Sequence, residues 1–373
     1  MTFKIDVLMP STSQYEVLHH FARKLYEAFV RTGASCRLLS GDERIYAALR
    51  SPPDFTIGFN GALKMEDGRL FCDHIKVPHV ACLVDPPFRF LELTDSPYVI
   101  IACDDRIGCS LLKNRHFHRS VFMPHAVEKE LASNLNAKRI YDLVLLGTCI
   151  DSGKRRKQWK RQFGVKVSGI MANAAEVALT EDEVSFISVL EEELDPGENQ
   201  DVYEAVEMYI KGMDRLRLLQ AFPERVIHVF GSSVDRGGWK KLLGSRSNMI
   251  VHPPVSYDQA LEVMKQSKIV LNSSIKNKLG AHERIFTAAA CGAVVVTNDN
   301  PLMREYFKAG KEILLYNGKK FEQLNLDVKE LLDDEDKCRR MSMAGRERVL
   351  QGHTWDHRVK RLLQEITPML RSI

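Results

Sequence analysis

Apolar positions in the first third of the chain come in short runs separated by amphipathic stretches. Lys4–Met9, Ser35–Leu39, Asp54–Phe59, Val77–Val84, Tyr98–Ile101 and Ser120–Met123 are apolar and partly β-branched, as buried strands are. Residues 15–31 (YEVLHHFARKLYEAFVR) carry apolar positions at helical spacing and stop ahead of Gly33. Strands alternating with helices predict a mostly parallel sheet covered on both faces.

Pro124 and the polar stretch Glu128–Lys138 read as a linker, after which the pattern restarts. Asp142–Leu146, Val226–Phe230, Met249–Val251, Ile269–Asn272 and Val294–Thr297 form a second series of strands, and Lys154–Phe163 a basic helix. The expected organisation is α/β: a Rossmann-like domain over 1–130, a second over 131–354, and a closing helix over 355–373. Between the first two strands of the second series lies an excursion over about 167–215, helical on both sides of the turn Asp195-Pro196-Gly197. From Val167 to Ile210 it contains no Lys or Arg. This composition fits a solvated helical face, or a surface turned towards a basic partner.

Composition narrows the class. In 373 residues with 45% hydrophobic and 27% charged content there is room for two cores, and a net charge of +4 does not by itself imply nucleic acid. No apolar run approaches the ~20 residues that span a bilayer, and the start MTFKIDVLMP reads as a strand, not a signal peptide. The 8 cysteines are scattered without a CxxC pair, which predicts reduced, buried thiols in a cytoplasmic protein and no metal centre.

The segment Asn272–Asn298 (NSSIKNKLGAHERIFTAAACGAVVVTN) concentrates the chemistry. A polar loop carrying Lys276, Lys278 and Gly280 runs into a helix opening on Ala281-His282-Glu283-Arg284, ended by Gly292 and followed by a buried strand. A helix start exposes unpaired N–H groups and a partial positive charge, so it suits a phosphate. Arg284 in the first turn is unfavourable for the helix dipole unless an anion is also present. His282 and Lys278 are candidate diphosphate partners, and Glu283 a contact for a donor sugar or a cap of the helix. Ligands of such folds bind beyond the carboxyl ends of the strands, where Gly147-Thr148, Gly231-Ser232, Pro254 and Asn272 fall. Lys154, Arg155 and Arg156 follow the first of these. In the first half, Asp85 in VDPP is the candidate acceptor-side carboxylate, with His20, His79 and His125 behind it. Asp334-Glu335-Asp336 spells a D-x-D string, read here as a helix N-terminus.

RIFTAAACGAVVVTNDNPLMREYFKAGKEILLY (Arg284–Tyr316) and HTWDHRVKRLL (His353–Leu363) resemble the C-terminal half of CgeB-like glycosyltransferases. The resemblance extends to YDLVLLGTCIDSGKRRKQW (Tyr141–Trp159), VIHVFGSS (Val226–Ser233) and the LNSS run from Leu271. It is weaker in VPHVACLVDPP (Val77–Pro87) and VFMPHAVE (Val121–Glu128). It implies the GT-B fold: two Rossmann-like domains facing across a cleft, here with a helical insertion in the second. It implies transfer of a sugar from a nucleotide diphosphate donor, expected to be a UDP-sugar, with the donor on the second domain and the acceptor on the first. It further implies that no metal or other cofactor is needed, that Arg284 and a basic residue near Arg155 meet the phosphates, and that the last helix packs back on the first domain. The acceptor is open: protein, glycan, lipid or small molecule. Where many members carry a ribose-binding glutamate, this chain has Thr287. That departure admits a nucleotide-sugar-binding or assembly protein without catalysis; an epimerase acting on the nucleotide sugar is a further alternative, which composition does not favour.

Overall fold

The computed structural model describes residues 3–131, 138–194, 200–234, 237–244 and 248–373, and divides into two compact units. Unit 1 comprises Met1–Glu130 with Gly352–Ile373, and unit 2 comprises Leu131–Gln351. The expected turn Asp195-Pro196-Gly197 and most of the expected linker lie outside the described residues.

In unit 1 the chain runs β1 (Lys4–Leu8), α1 (Val17–Arg31), β2 (Ser35–Leu39), α2 (Glu43–Arg50), β3 (Phe55–Phe59), α3 (Phe71–Ile75), β4 (His79–Leu83), β5 (Val99–Cys103), α4 (Arg106–Asn114) and β6 (Ser120–Phe122). The strands form one parallel sheet in the order β2-β1-β3-β4-β5-β6. β3, β4 and β5 are buried at every position, as the continuous apolar runs require of a sheet covered on both faces.

Unit 2 begins with β7 (Tyr141–Leu146) and continues through α5 (Ser152–Thr180), α6 (Phe186–Glu193) and α7 (Gln200–Gln220). It proceeds through β8 (Ile227–Phe230), α8 (Gly238–Leu243), β9 (Met249–His252), α9 (Tyr257–Lys265), β10 (Ser267–Leu271) and α10 (Glu283–Ala290). After these come β11 (Val294–Asn298), α11 (Pro301–Tyr306), β12 (Leu314–Tyr316), α12 (Phe321–Asp333) and α13 (Glu335–Gly352). The sheet is parallel in the order β12-β11-β10-β7-β8-β9. β7 is flanked by β10 on one side and β8 on the other. The chain order therefore reverses between β7 and β10, and α/β sheets open a crevice at such a point. The last helix, α14 (Trp355–Leu370), packs on α1 within unit 1, burying Trp355, Val359, Leu362 and Ile366.

The helical excursion is longer than its composition suggests. It starts at Ser152 and ends at Gln220, and α5 breaks at Gly164, where φ is +77°. Its acidic residues meet cations of their own unit: Lys319 pairs with Glu181 at 3.1 Å, Arg304 with Glu183 at 3.2 Å, and Lys276 with the buried Glu207 at 3.6 Å. The acidic bias is thus answered in part from the loops after β10 and β12 and from α11 after β11. Asp334 caps the start of α13 through the Lys337 N–H at 2.9 Å, so the D-x-D string is a helix start.

Candidate functional site

The loops after β7, β8, β9 and β10 leave the same edge of the unit 2 sheet. This edge gathers Gly147-Thr148, Gly231-Ser232, Pro254 and Asn272, which the sequence singled out. Two of these loops touch backbone to backbone: Gly147 N–H donates to Phe230 O, and Cys149 N–H to Ser232 O, each at 2.8 Å. Gly231 is required by this contact, because a Cβ there would lie 2.0 Å from Gly147 O. Trp239 Nε1 donates to the same carbonyl at 3.1 Å. Pro254 is exposed in the β9–α9 loop.

α10 starts at Glu283, two residues after the expected opening at Ala281. His282 is its N-cap in extended conformation, and its Nδ1 lies 3.3 Å from the Arg284 N–H. The same nitrogen is held against the Glu283 carboxylate, a contact that becomes an ion pair when the imidazole is protonated and no longer caps the helix. Glu283 also lies 3.7 Å from Arg284 Nη2. Gly292 follows the helix with φ +80°, the left-handed turn that ends a helix without a Cβ penalty.

Arg284 points along the switch-point edge, and its Nη1 donates to Asn272 Oδ1 at 3.4 Å. Asn272 is buried and donates from Nδ2 to Thr297 Oγ1 at 2.9 Å, so it orients Arg284 rather than offering itself to a ligand.

Sequence reasoning missed the second guanidinium. Arg215, on α7, is 8% exposed and donates from Nη1 to Thr148 O at 2.6 Å. Its Nε would lie 3.4 Å from a Cβ on Gly147. Burial first, then the charge of Arg284, lower its pKa to about 10. Two like charges in a water-poor edge favour an anion between or beside them.

Beside Arg215, Asp214 is fully buried and accepts from Ser273 Oγ at 2.6 Å, Asn298 Nδ2 at 3.1 Å and Tyr316 Oη at 3.0 Å. These residues end β10, β11 and β12, so Asp214 ties three strand ends to α7. Burial raises its pKa, opposed by those three hydrogen bonds, and pushes the Tyr316 phenol well up. No local motif marks Asp214 or Arg215, since their partners are 59 to 102 residues away.

Three expected donor residues have other partners. Lys278 is 2% exposed, and its ammonium donates to Ala178 O and Glu181 O at 2.7 Å each, clamping the end of α5. It is a buried clamp, not a loop lysine open to solvent. Thr287 is fully buried in the middle of α10, its hydroxyl 3.4 Å from Tyr257 Oη. Gly280 lends its carbonyl to Asn300 Nδ2 at 3.3 Å. On the first helix after β7, Lys154 is exposed, Arg155 is half-buried, and Arg156 lies over the Trp159 ring at 4.6 Å.

In unit 1, Asp85 follows β4 and accepts from Asn60 Nδ2 at 2.9 Å. Asn60, at φ +51° after β3, also accepts from the Val84 N–H at 3.0 Å, which fixes the loop bearing Asp85. His79 is a core histidine. Its Nε2 can only donate to Gly61 O at 3.0 Å, so Nδ1 accepts from the Thr56 hydroxyl at 2.8 Å, and burial lowers its pKa to about 4. His20 pairs with Glu128 at 2.9 Å and His125 with Asp104 at 3.5 Å, all four buried.

Two parallel sheets, each with ligand-ready loops at its carboxyl edge, define a GT-B fold. Residues 213–364 match the sequence model of a family described as glycosyl transferase-like. The match covers less than half of the chain, and the fold is the one seen in GT-B glycosyltransferases of known structure. An alpha-glucosyltransferase, solved in complex with UDP-glucose and DNA containing an abasic site, superimposes with TM-score 0.59 at 10% identity, covering 98% of this chain and 100% of that one. AviGT4, a glycosyltransferase involved in avilamycin A biosynthesis, gives 0.53 at 12% identity over 100% and 99%. Anabaena HepE, in complex with UDP-glucose, gives 0.52 at 11% identity over 100% of both chains. At these identities the likeness concerns the fold. No curated protein matches the sequence. Among the described residues no helix is long and apolar enough to cross a membrane.

Proposed function

We propose that the chain moves a sugar from a UDP-sugar to an acceptor bound by unit 1, without a metal ion. The observation that carries this reading is the pair Arg215 and Arg284 at the switch point of the unit 2 sheet. A diphosphate leaving group needs positive charge where its own charge develops, and two oriented guanidiniums beside a helix start supply it. Glu283, held by His282, is proposed to touch the donor sugar, and Asp85, held by Asn60, to orient or deprotonate the acceptor hydroxyl. HepE and the alpha-glucosyltransferase, each crystallised with UDP-glucose, support the choice of donor. We place the reaction in the cytoplasm, in keeping with eight free thiols.

Turnover and binding across a panel of nucleotide sugars test the proposal. UDP-sugar hydrolysis or transfer is expected, and no binding or turnover of any donor by folded protein would sink it. Burial of Thr287 against Tyr257 favours a second reading, binding of the nucleotide sugar without transfer. Saturable UDP binding with no product from any donor would establish that reading. Conversion of the donor without an acceptor would instead identify an epimerase.

A further inference from the structure

The first half of α5 carries charge of one sign. From Gly153 to Lys166 the chain has seven Lys and Arg and no carboxylate, in a protein whose 53 Lys and Arg are nearly balanced by 49 Asp and Glu. At 3.6 residues per turn, Lys154, Lys157, Lys160 and Arg161 share an arc of roughly 120° opposite the buried Trp159, and all four are exposed. Lys157, Lys160 and Arg161 have no acid partner among the described residues.

The neighbouring helices do not answer this charge. α5 packs on α7, where Trp159 meets Tyr209 at 5.1 Å. From Tyr209 to Gln220 the one carboxylate is Asp214, buried in the network of strand ends. α6 reaches the second half of α5 instead, where Asn173 donates to Glu193 at 2.7 Å. Like charges three and four residues apart repel and cost helix stability. Solvated faces elsewhere in the chain mix signs: Lys24 pairs with Glu27 on α1, and Arg361 with Glu365 on α14. A self-repelling face gains when it meets an anionic surface.

Two further features select that surface. α5 breaks at Gly164, and Val165 just past the break is 70% exposed, more than any other large apolar side chain among the described residues. The one indole of this stretch is not available for stacking, because Trp159 is buried with Arg156 over its ring. An apolar tip among cations fits a lipid headgroup layer, whereas single-stranded nucleic acid is held by stacking on exposed rings.

We propose that this face of α5 docks the chain on an anionic lipid bilayer, with Lys157, Lys160 and Arg161 against the headgroups and Val165 entering between them. The contact is adsorption, not a span. It is separate from the pair Arg215 and Arg284, and it does not depend on the sugar-transfer reading.

Cosedimentation of the full chain with vesicles tests this, using equimolar phosphatidylcholine and phosphatidylglycerol against phosphatidylcholine alone. Binding to the anionic vesicles is expected, falling as salt is raised. Lys157→Gln, Lys160→Gln and Arg161→Gln together should weaken it at least about tenfold, as three cations near a charged bilayer are lost. Val165→Asn leaves the charge unchanged and should weaken it about threefold, through the lost apolar contact. Both variants should unfold no earlier than the parent, so that lost binding reads the face and not the fold. Their UDP affinity, expected to match the parent's, reads the donor site separately. Equal binding to the neutral vesicles, none to the anionic ones, or unchanged binding by the glutamine variant would overturn the proposal. So would a Val165→Asn chain that binds as the parent does, or tighter binding of a single-stranded oligonucleotide at the same salt, since either marks a general polyanion contact.

Discussion

The Arg215 guanidinium is buried within the field of Arg284, and its Nη1 is tied to the carbonyl of Thr148. Arg284 thus adds to the cost of burying the Arg215 charge, which Asp214 offsets in part and a bound anion would relieve. Arg284→Ala should weaken UDP binding by about 1.5–3 kcal/mol, the range for a hydrogen bond to a charged group, with little loss of stability. Arg215→Ala should cost similar affinity and also destabilise the fold, since Thr148 O loses its donor. Calorimetry with UDP, paired with thermal unfolding, separates the two effects. Unchanged affinity in both variants would remove the phosphate site.

Gly231 touches the carbonyl of Gly147 so closely that no side chain fits. Gly231→Ala must part the β7 and β8 loops. Its expected cost is about 1–3 kcal/mol, as for overpacked sites, with loss of UDP affinity because Thr148 and Arg215 move together. Thermal unfolding and UDP titration of the variant are the measurements. A variant as stable as the parent would contradict the contact.

Thr287 and Lys278 are predicted to matter for stability rather than for the donor. Thr287→Val removes only the contact with Tyr257 and should leave the UDP dissociation constant within about twofold, at up to about 1 kcal/mol of stability. Lys278→Met frees the carbonyls of Ala178 and Glu181 and should loosen the end of α5. Hydrogen exchange over residues 174–183 reads that change directly. A large loss of UDP affinity in Thr287→Val would restore its ribose-binding role.

Burial holds the His79 pKa at about 4 against an ordinary 6.5. The unfolded chain therefore binds the proton more readily than the folded one. Stability from this histidine is complete above pH 6.5 and is lost as pH falls towards 4, by roughly 3 kcal/mol at 1.36 kcal/mol per unit. Denaturant titrations of the parent and His79→Gln between pH 4 and 7 check it. The variant should start less stable, having lost an imidazole matched to Thr56 and Gly61, and should show a flatter slope.

Much of the architecture is legible along the chain because its signal is local. Ser35–Leu39 appears as expected, and the other strands named from the sequence differ by a residue or two at their ends, since continuous apolar runs mark strands buried on both faces. α9 is not among the elements expected from the apolar pattern, although Ser256 and Gln259 form its capping box, a local signal. β12, three residues long, is too short to stand out from the apolar sequence around it. Likewise the start of α10 was visible, because Gly292, the alanine run and His282-Glu283-Arg284 are neighbours in sequence.

The sequence by itself determined two successive α/β patterns, the carboxyl-edge loops and the helix start that carries Arg284. These follow from continuous apolar runs and from the 3.6-residue helical period, which a linear chain displays. Only the tertiary structure decided which cations sit at that helix start. It turned Lys278 away to clamp α5, buried Thr287 against Tyr257, and brought Arg215 from α7 to Thr148. The physical reason is distance along the chain. Lys278 and Ala178 lie 100 residues apart, Arg215 and Thr148 lie 67 apart, and only the packing of the excursion on the sheet edge selects such partners.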